Sequence, residues 1–168
     1  MNIIQKSLTA LAAVALSAGP VNARIEHNTG ELLEHISDRG VEVIIGTNEC
    51  TGHFLGRYQF TSNLSQARMT LCPGDVVDAE DHETVRHEVM HVIQSCINYH
   101  RGTALNTPVL DIPDLIEAVN ANVPYYDVDT IHSSYPRDQW YVEYEAYLAE
   151  YIFTADDLIE LFDDACME

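Results

Sequence analysis

The chain has 168 residues, 46% of them hydrophobic, and carries 27 acidic against 8 basic side chains, a formal net charge of −19. This length suits one domain that can bury a substantial core. The strong negative charge disfavours binding to nucleic acid phosphates and would steer cationic peptides or proteins towards the surface, although solubility alone also accounts for it.

The first 23 residues have the pattern of a secretory signal peptide. A weakly basic start containing Lys6 is followed by an apolar run from Leu8 to Ala18 and by small residues that end at Ala23. Because this run is too short to span a bilayer, we predict cleavage after Ala23, with an uncleaved anchor as the alternative. The mature domain, residues 24–168, would be secreted or periplasmic, without a membrane span, and would carry a formal charge of 7 − 27 = −20.

A short helix and then a sheet are predicted after the leader. The helix runs from Thr29 to Arg39 and ends at Gly40, a residue typical of a helix C-terminus. Three apolar or alternating stretches, separated by turn-rich segments, predict a small antiparallel sheet. These stretches are Val41–Thr47, His53–Thr61 and Ala67–Cys72.

A long helix from Asp78 or Ala79 to Tyr99 carries the sequence His-Glu-Val-Met-His at positions 87–91. On a helix, His87 and His91 project from the same face one turn apart, so both imidazoles can bind one Zn²⁺. Glu88 lies beside them, where a carboxylate can act as a base on water. The helix is apolar around the motif, and two buried His without a metal would be costly unless hydrogen-bonded. An accidental match on a solvated helix face is the alternative.

Further helices are predicted downstream, and strands followed by helices indicate an α+β fold. One helix covers Pro113–Asn122, another Arg137–Phe153, and Thr154 caps a last helix that has acidic residues in its first turn. Pro124 and Pro136 bracket a segment that we interpret as a loop.

The four cysteines form an even set in an exported chain and predict two disulfides, for which three pairings are possible. We favour Cys50–Cys72, which flank the predicted strand hairpin, and Cys96–Cys166, which would join the last helix to the motif helix. No two cysteines have CxxC-like spacing, so we do not expect them to bind zinc.

Zinc peptidases with this motif differ in their third metal ligand. One branch uses a His six residues after the second His, with a Gly between them, but Ile97 and Gln94 occupy these positions. The chain instead resembles the gluzincins, in which a Glu from a later helix completes the site. This resemblance extends from Thr84 to about Ile152.

The gluzincin pattern favours Glu143 as the third ligand, because Ala146 supplies the small residue expected three positions later. Glu145 is the alternative, but Leu148 occupies the corresponding position. Two carboxylates this far apart on a helix point roughly 200° away from each other, so only one can face the metal. These families often have an acid four residues after the ligand, whereas this chain has Tyr147, so the group that orients a ligating His is not identified.

The resemblance implies a zinc-dependent endopeptidase with one Zn²⁺ per chain, bound by His87, His91 and Glu143. Glu88 would be the catalytic base, taking a proton from water and delivering it to the leaving amine. A further donor would stabilise the oxyanion. The candidates for this donor are His132, Tyr135 and Tyr144.

The resemblance also implies that an extended peptide adds to a strand edge beside the zinc, supplied by residues 56–60 or 67–71. The expected partner is a peptide or protein substrate, and a monomer is expected. Alternatives are an amidase acting on cell-wall peptides, a non-catalytic exported binding domain stabilised by zinc, and a disulfide-linked domain without metal.

Overall fold

The computed structural model describes residues 29–46, 50, 55–59, 67–72, 79–103 and 107–167. They form six helices and three strands, which confirms the predicted α+β class. The proposed signal peptide lies outside the described residues. In chain order the elements are α1 (Thr29–Asp38), β1 (Glu42–Ile45), β2 (Gly56–Gln59), β3 (Arg68–Leu71), α2 (Ala79–Arg101), α3 (Ile112–Asn122), α4 (Tyr125–Ser134), α5 (Trp140–Ile152) and α6 (Ala155–Cys166).

The sheet is mixed, with strand order β1-β3-β2. β2 and β3 pair antiparallel, as expected, with Gly56 opposite Leu71. β1 differs from the expectation of an antiparallel sheet, because it lies parallel to β3, with Glu42 opposite Arg68. The chain passes from β1 to the far strand β2 before it returns to the centre, so β1 and β3 run in the same direction. Among the described strands, β2 is therefore an edge.

Helix α2 is the centre of the molecule and packs against α5, α6 and β2. Its apolar face, including Val89, Val92 and Ile93, is fully buried in a hydrophobic core that extends to the sheet and to the C-terminal helices. None of the helices in the described part of the chain is long and apolar enough to cross a bilayer.

Both favoured disulfides are present, Cys50–Cys72 and Cys96–Cys166, spanning 22 and 70 residues. The second joins α2 to α6, as predicted. Two disulfides are typical of a protein in an oxidising environment.

The segment between Pro124 and Pro136, interpreted as a loop from sequence, contains helix α4, so that prediction is wrong. Pro124 occupies the N-cap position of α4 rather than a loop. Only Asp127 and Ile131, one turn apart, are buried in this helix. With so few apolar residues facing the core, its sequence lacks the periodicity by which helices are recognised. This helix forms one wall of the cleft beside the candidate site.

Candidate metal centre

Helices α2 and α5 bring the three predicted ligands together. The Nε2 atoms of His87 and His91 lie 3.2 Å apart on one face of α2. From α5, the Glu143 carboxylate reaches to 3.3 Å from Nε2 of His87 and 3.7 Å from Nε2 of His91. One ligand atom from each residue lies within 4.8 Å of the other two, so this group could hold a metal ion.

Glu145, the alternative third ligand, faces away from the His pair. Its carboxylate is 1% exposed and accepts hydrogen bonds from the backbone N–H groups of Val109, at 2.9 Å, and Leu110, at 2.8 Å. It therefore anchors the segment that enters α3. Ala146 is fully buried on α5, where a small side chain permits the close approach of helices that the sequence pattern predicted.

Each imidazole is oriented through its Nδ1 atom. The Glu150 carboxylate lies 2.7 Å from Nδ1 of His87, and Oε1 of Gln94 lies 2.7 Å from Nδ1 of His91. A carboxylate accepts hydrogen bonds, so Nδ1 of His87 is the donor. The amide nitrogen of Gln94 donates to Glu145 at 2.9 Å, which leaves its oxygen to accept from His91. Both imidazoles thus direct Nε2 towards the centre.

Gln94 and Glu150 are the functional residues that the sequence analysis missed. The sequence contains a signal for each: Glu150 lies two helical turns after Glu143, on the same face of α5, and Gln94 lies within one turn of His91. Tyr147, at the position where the gluzincin pattern often has an acid, instead packs its ring edge-on against His87 with centroids 5.0 Å apart.

His87 and Glu143 shift each other's pKa values. Burial lowers the pKa of His87, but the neighbouring Glu143 and Glu150 carboxylates outweigh this effect and raise the pKa to about 10. Burial raises the pKa of Glu143, but the neighbouring imidazoles outweigh it and lower the pKa to about 2. Both shifts show that these buried groups stabilise opposite charges in one another.

The residues fit a divalent metal ion. With both Nδ1 atoms engaged elsewhere, Nε2 of each imidazole and the Glu143 carboxylate converge, and the buried Oε2 of Glu143 lies 3.3 Å from Nε2 of His87. Such a convergence requires a positive charge among the groups, either a proton on His87, whose pKa is raised, or a metal ion in its place. Two His plus Glu is a zinc donor set, and two nitrogens bound tetrahedrally at zinc distances lie roughly 3.3 Å apart. The observed Nε2 separation of 3.2 Å agrees with this value.

A cleft of about 620 Å³ opens beside the triad, bounded by β2, α2, α4 and α5. Glu88 lines it, although the side chain is buried and its Oε2 has no hydrogen-bond partner in the described structure. Burial raises the pKa of Glu88 above the usual range. Gly56 of β2 lies directly against this residue, and a Cβ at that position would be 2.6 Å from Oε1 of Glu88. A glycine is required there for the edge strand to approach the motif helix.

Of the three candidate oxyanion donors, Tyr135 lines the cleft. His132 and Tyr144 are hydrogen-bonded to each other, and the His132 ring also packs on Trp140 with centroids 4.2 Å apart. Burial and the neighbouring carboxylates, Glu143 foremost, raise the pKa of Tyr135. The phenol therefore keeps its proton and can donate it in a hydrogen bond.

Comparison of the chain with protein-family models, with curated proteins and with solved structures finds no match. The functional interpretation therefore depends on the motif and on the geometry of the site.

Proposed function

We propose that this protein is a zinc-dependent peptide-bond hydrolase, an endopeptidase, in which His87, His91 and Glu143 hold one zinc ion. The observation that supports this most strongly is the convergence of two oriented imidazoles and a buried carboxylate next to a cleft. A further carboxylate, Glu88, lines this cleft, and its Oε2 has no hydrogen-bond partner among the described residues. When bound, zinc supplies a Lewis acid that lowers the pKa of water and polarises a carbonyl group.

Glu88 is the general base in this proposal. Its position next to His87, its access to the cleft and its raised pKa suit a group that takes a proton from the attacking water near neutral pH and delivers it to the leaving amine. Tyr135 donates a hydrogen bond to the oxygen that becomes negatively charged. Gln94 and Glu150 do not touch the substrate, and their role is to hold the two imidazoles in the ligating orientation.

The edge strand β2 is suited to bind an extended peptide. Gly56 brings β2 against Glu88. One edge of β2 pairs with β3, and no other described strand pairs with its second edge. A peptide that adds to this edge would be held by backbone hydrogen bonds beside the catalytic residues. Of the two segments considered from sequence, β3 is the central strand, so β2 is the one we propose.

We also infer that the protein acts after export, as a secreted or periplasmic enzyme. The two disulfides support an oxidising environment. The leader ending at Ala23 remains a prediction, and N-terminal sequencing of the exported protein would test it.

Metal content is the first test. Elemental mass spectrometry of the purified protein should find about one zinc per chain, and Glu143→Ala should lose most of it. Glu160→Ala, an exposed α6 variant, serves as the matched control and should retain the metal. Chelation should lower the melting temperature of the wild type. A protein that binds no zinc after folding in its presence would contradict the proposal, and a chelator without effect would favour a disulfide-linked domain without metal.

Activity against a panel of peptides and cell-wall peptides is the second test. Glu88→Gln should keep the zinc but lose hydrolysis by about 100-fold or more. Cleavage of cell-wall peptides alone would favour the amidase. Zinc binding with no hydrolysis, and no effect of Glu88→Gln, would indicate a binding domain.

A further inference from the structure

We propose that the cleft beside the triad accepts a positively charged side chain of the substrate, from Lys or Arg, and that Asp127 is its counter-ion. This inference rests on the proposed function, because it places the charged side chain next to the peptide bond that is cleaved.

Asp127 is a buried carboxylate outside the metal centre. It lies in the first turn of α4, is 9% exposed and lines the cleft. Its side chain accepts one hydrogen bond, from the Tyr151 hydroxyl of α5, and no ion pair joins it to an Arg or His in the described structure. A carboxylate has about four acceptor sites, so Tyr151 fixes the group without satisfying it.

The walls of the cleft suit an organic cation. No Lys or Arg is among the described residues that line it. Lys and Arg side chains bind through charge-assisted hydrogen bonds to carboxylates and by stacking against aromatic rings. The carboxylates and aromatic rings of the cleft are those of Glu83, Glu88, Asp127, Glu150, Tyr126 and Tyr147.

The acidity of the whole chain does not account for Asp127. Acidic residues that serve solubility lie in solvent, whereas Asp127 is buried. Glu88 and Glu150 also line the cleft, but they have roles at the metal centre. Burial raises the pKa of Asp127, as expected for a carboxylate with too few partners.

The class of ligand follows from the free-energy cost of covering the Asp127 carboxylate with a substrate side chain. An apolar substrate side chain would remove the remaining water from Asp127 without replacing its hydrogen bonds, which is unfavourable. An acidic side chain would add repulsion. An ammonium or guanidinium group would supply donors and the opposite charge, so it is the ligand that this wall favours.

A matched peptide series tests the inference. The substrates are N-acetylated, internally quenched peptides that differ only in the residue on one side of the cleaved bond, which is Arg, Lys, Gln, norleucine or Glu. Each side of the bond is tested in turn. On one of the two sides of the cleaved bond, kcat/KM for the Arg or Lys peptide should exceed that for the Gln peptide by about 10- to 100-fold, the effect of a charge-assisted hydrogen bond. The Glu peptide should be the poorest substrate.

Asp127→Asn should reduce this preference to within about threefold, because the amide keeps the shape but not the charge. The control is Asp129→Asn, which removes the same charge from the same helix at an exposed position outside the cleft, and the preference should persist. Circular dichroism and zinc content identify a variant that does not fold. In that case the wild-type series alone decides: equal rates for Arg and Gln peptides on both sides would overturn the inference.

Binding measurements separate this inference from the proposed function. Fluorescence anisotropy with the zinc-loaded Glu88→Gln variant should show tighter binding of Arg peptides than of Gln peptides, and Asp127→Asn should remove the difference. Hydrolysis by the wild type without a preference for Lys or Arg peptides would overturn the inference and leave the proposed peptidase function standing. Preferential binding without hydrolysis would support the cation site and contradict the peptidase. If peptides without charged side chains but with a free N-terminus bind as tightly as the Arg peptides, the cleft binds a terminal ammonium group. That result would overturn the side-chain assignment.

Discussion

Replacing Gln94 by Met tests whether the amide of this residue fixes the orientation of His91. Gln94 is 1% exposed, accepts from His91 and donates to Glu145 and to the Val142 carbonyl at 2.9 and 3.0 Å. Methionine has a similar length but cannot make these three hydrogen bonds. The partly buried His91 Nδ1–H loses its partner. The Glu145 oxygen loses one hydrogen bond but keeps the one from the Val109 N–H at 2.9 Å, and the Val142 carbonyl still belongs to the helix.

The magnitudes follow from these losses. The His91 Nδ1–H without a partner costs about 1–3 kcal/mol and the loss of one hydrogen bond to Glu145 about 1 kcal/mol, partly offset by burial of the thioether, so we expect a loss of about 1–3 kcal/mol in the free energy of unfolding. Loss of the group that orients a ligating His typically weakens metal binding about 10- to 100-fold, or about 1.4–2.7 kcal/mol.

Two assays keep these effects apart. Urea denaturation with the metal chelated measures the stability of the fold, and competition with a chromophoric chelator measures zinc affinity in the native protein. Gln139→Met is the matched control, because the Gln139 side chain makes no capping hydrogen bond at the start of α5. It should change stability by less than about 0.5 kcal/mol. If folded Gln94→Met protein binds zinc as tightly as the wild type, then Gln94 does not set the orientation of His91.

Two further substitutions test the packing around the site. Gly56→Ala should reduce hydrolysis at least about 10-fold and destabilise the fold by about 1–3 kcal/mol, because the added Cβ meets the Glu88 side chain at 2.6 Å. By contrast, Gly30→Ala, where a Cβ meets nothing within 4 Å, should retain activity and raise the free energy of unfolding by about 0.5–1 kcal/mol. A fully active Gly56→Ala enzyme would refute the close approach of β2 to Glu88. Joint replacement of Cys96 and Cys166 by Ala should cost about 2–5 kcal/mol in urea denaturation, since their disulfide closes a span of 70 residues; an unchanged midpoint would contradict this.

The sequence was sufficient to predict that His87, His91 and Glu143 come together, because the His spacing is local to one helix and the gluzincin pattern favoured Glu143. The spacing of His87 and His91 defines a helix face, and helix geometry lets only one of Glu143 and Glu145 share it. The structure places Glu143 against the two imidazoles and Glu145 beneath the entry to α3.

The partners of the imidazoles were not predicted because they depend on how α2 and α5 pack. Glu150 reaches His87 only because the two helices cross at that point. The spacing from Glu143 places Glu150 on the same face of α5, but it does not show which residue of α2 that face meets. The gluzincin pattern directed attention to Tyr147, four positions after Glu143, instead.

The direction of β1 and the existence of α4 were also beyond local reasoning. A strand sequence does not encode whether its neighbour runs parallel, because that depends on the path of the chain between them. Helix α4 directs only Asp127 and Ile131 inwards, and one of these is charged, so the usual apolar signal of a helix is nearly absent.

The Cys96–Cys166 disulfide bears on when the candidate metal centre can form during synthesis. It ties the helix of the His pair to the last helix of the chain across 70 residues. Because translation proceeds from the N-terminus, the growing polypeptide presents both imidazoles long before Glu143 and Cys166 emerge. The His-Glu-Val-Met-His stretch therefore cannot complete the triad by itself, and the triad forms only after long-range closure of the chain. Under the proposed function, this dependence would delay peptidase activity until the C-terminal helices have folded.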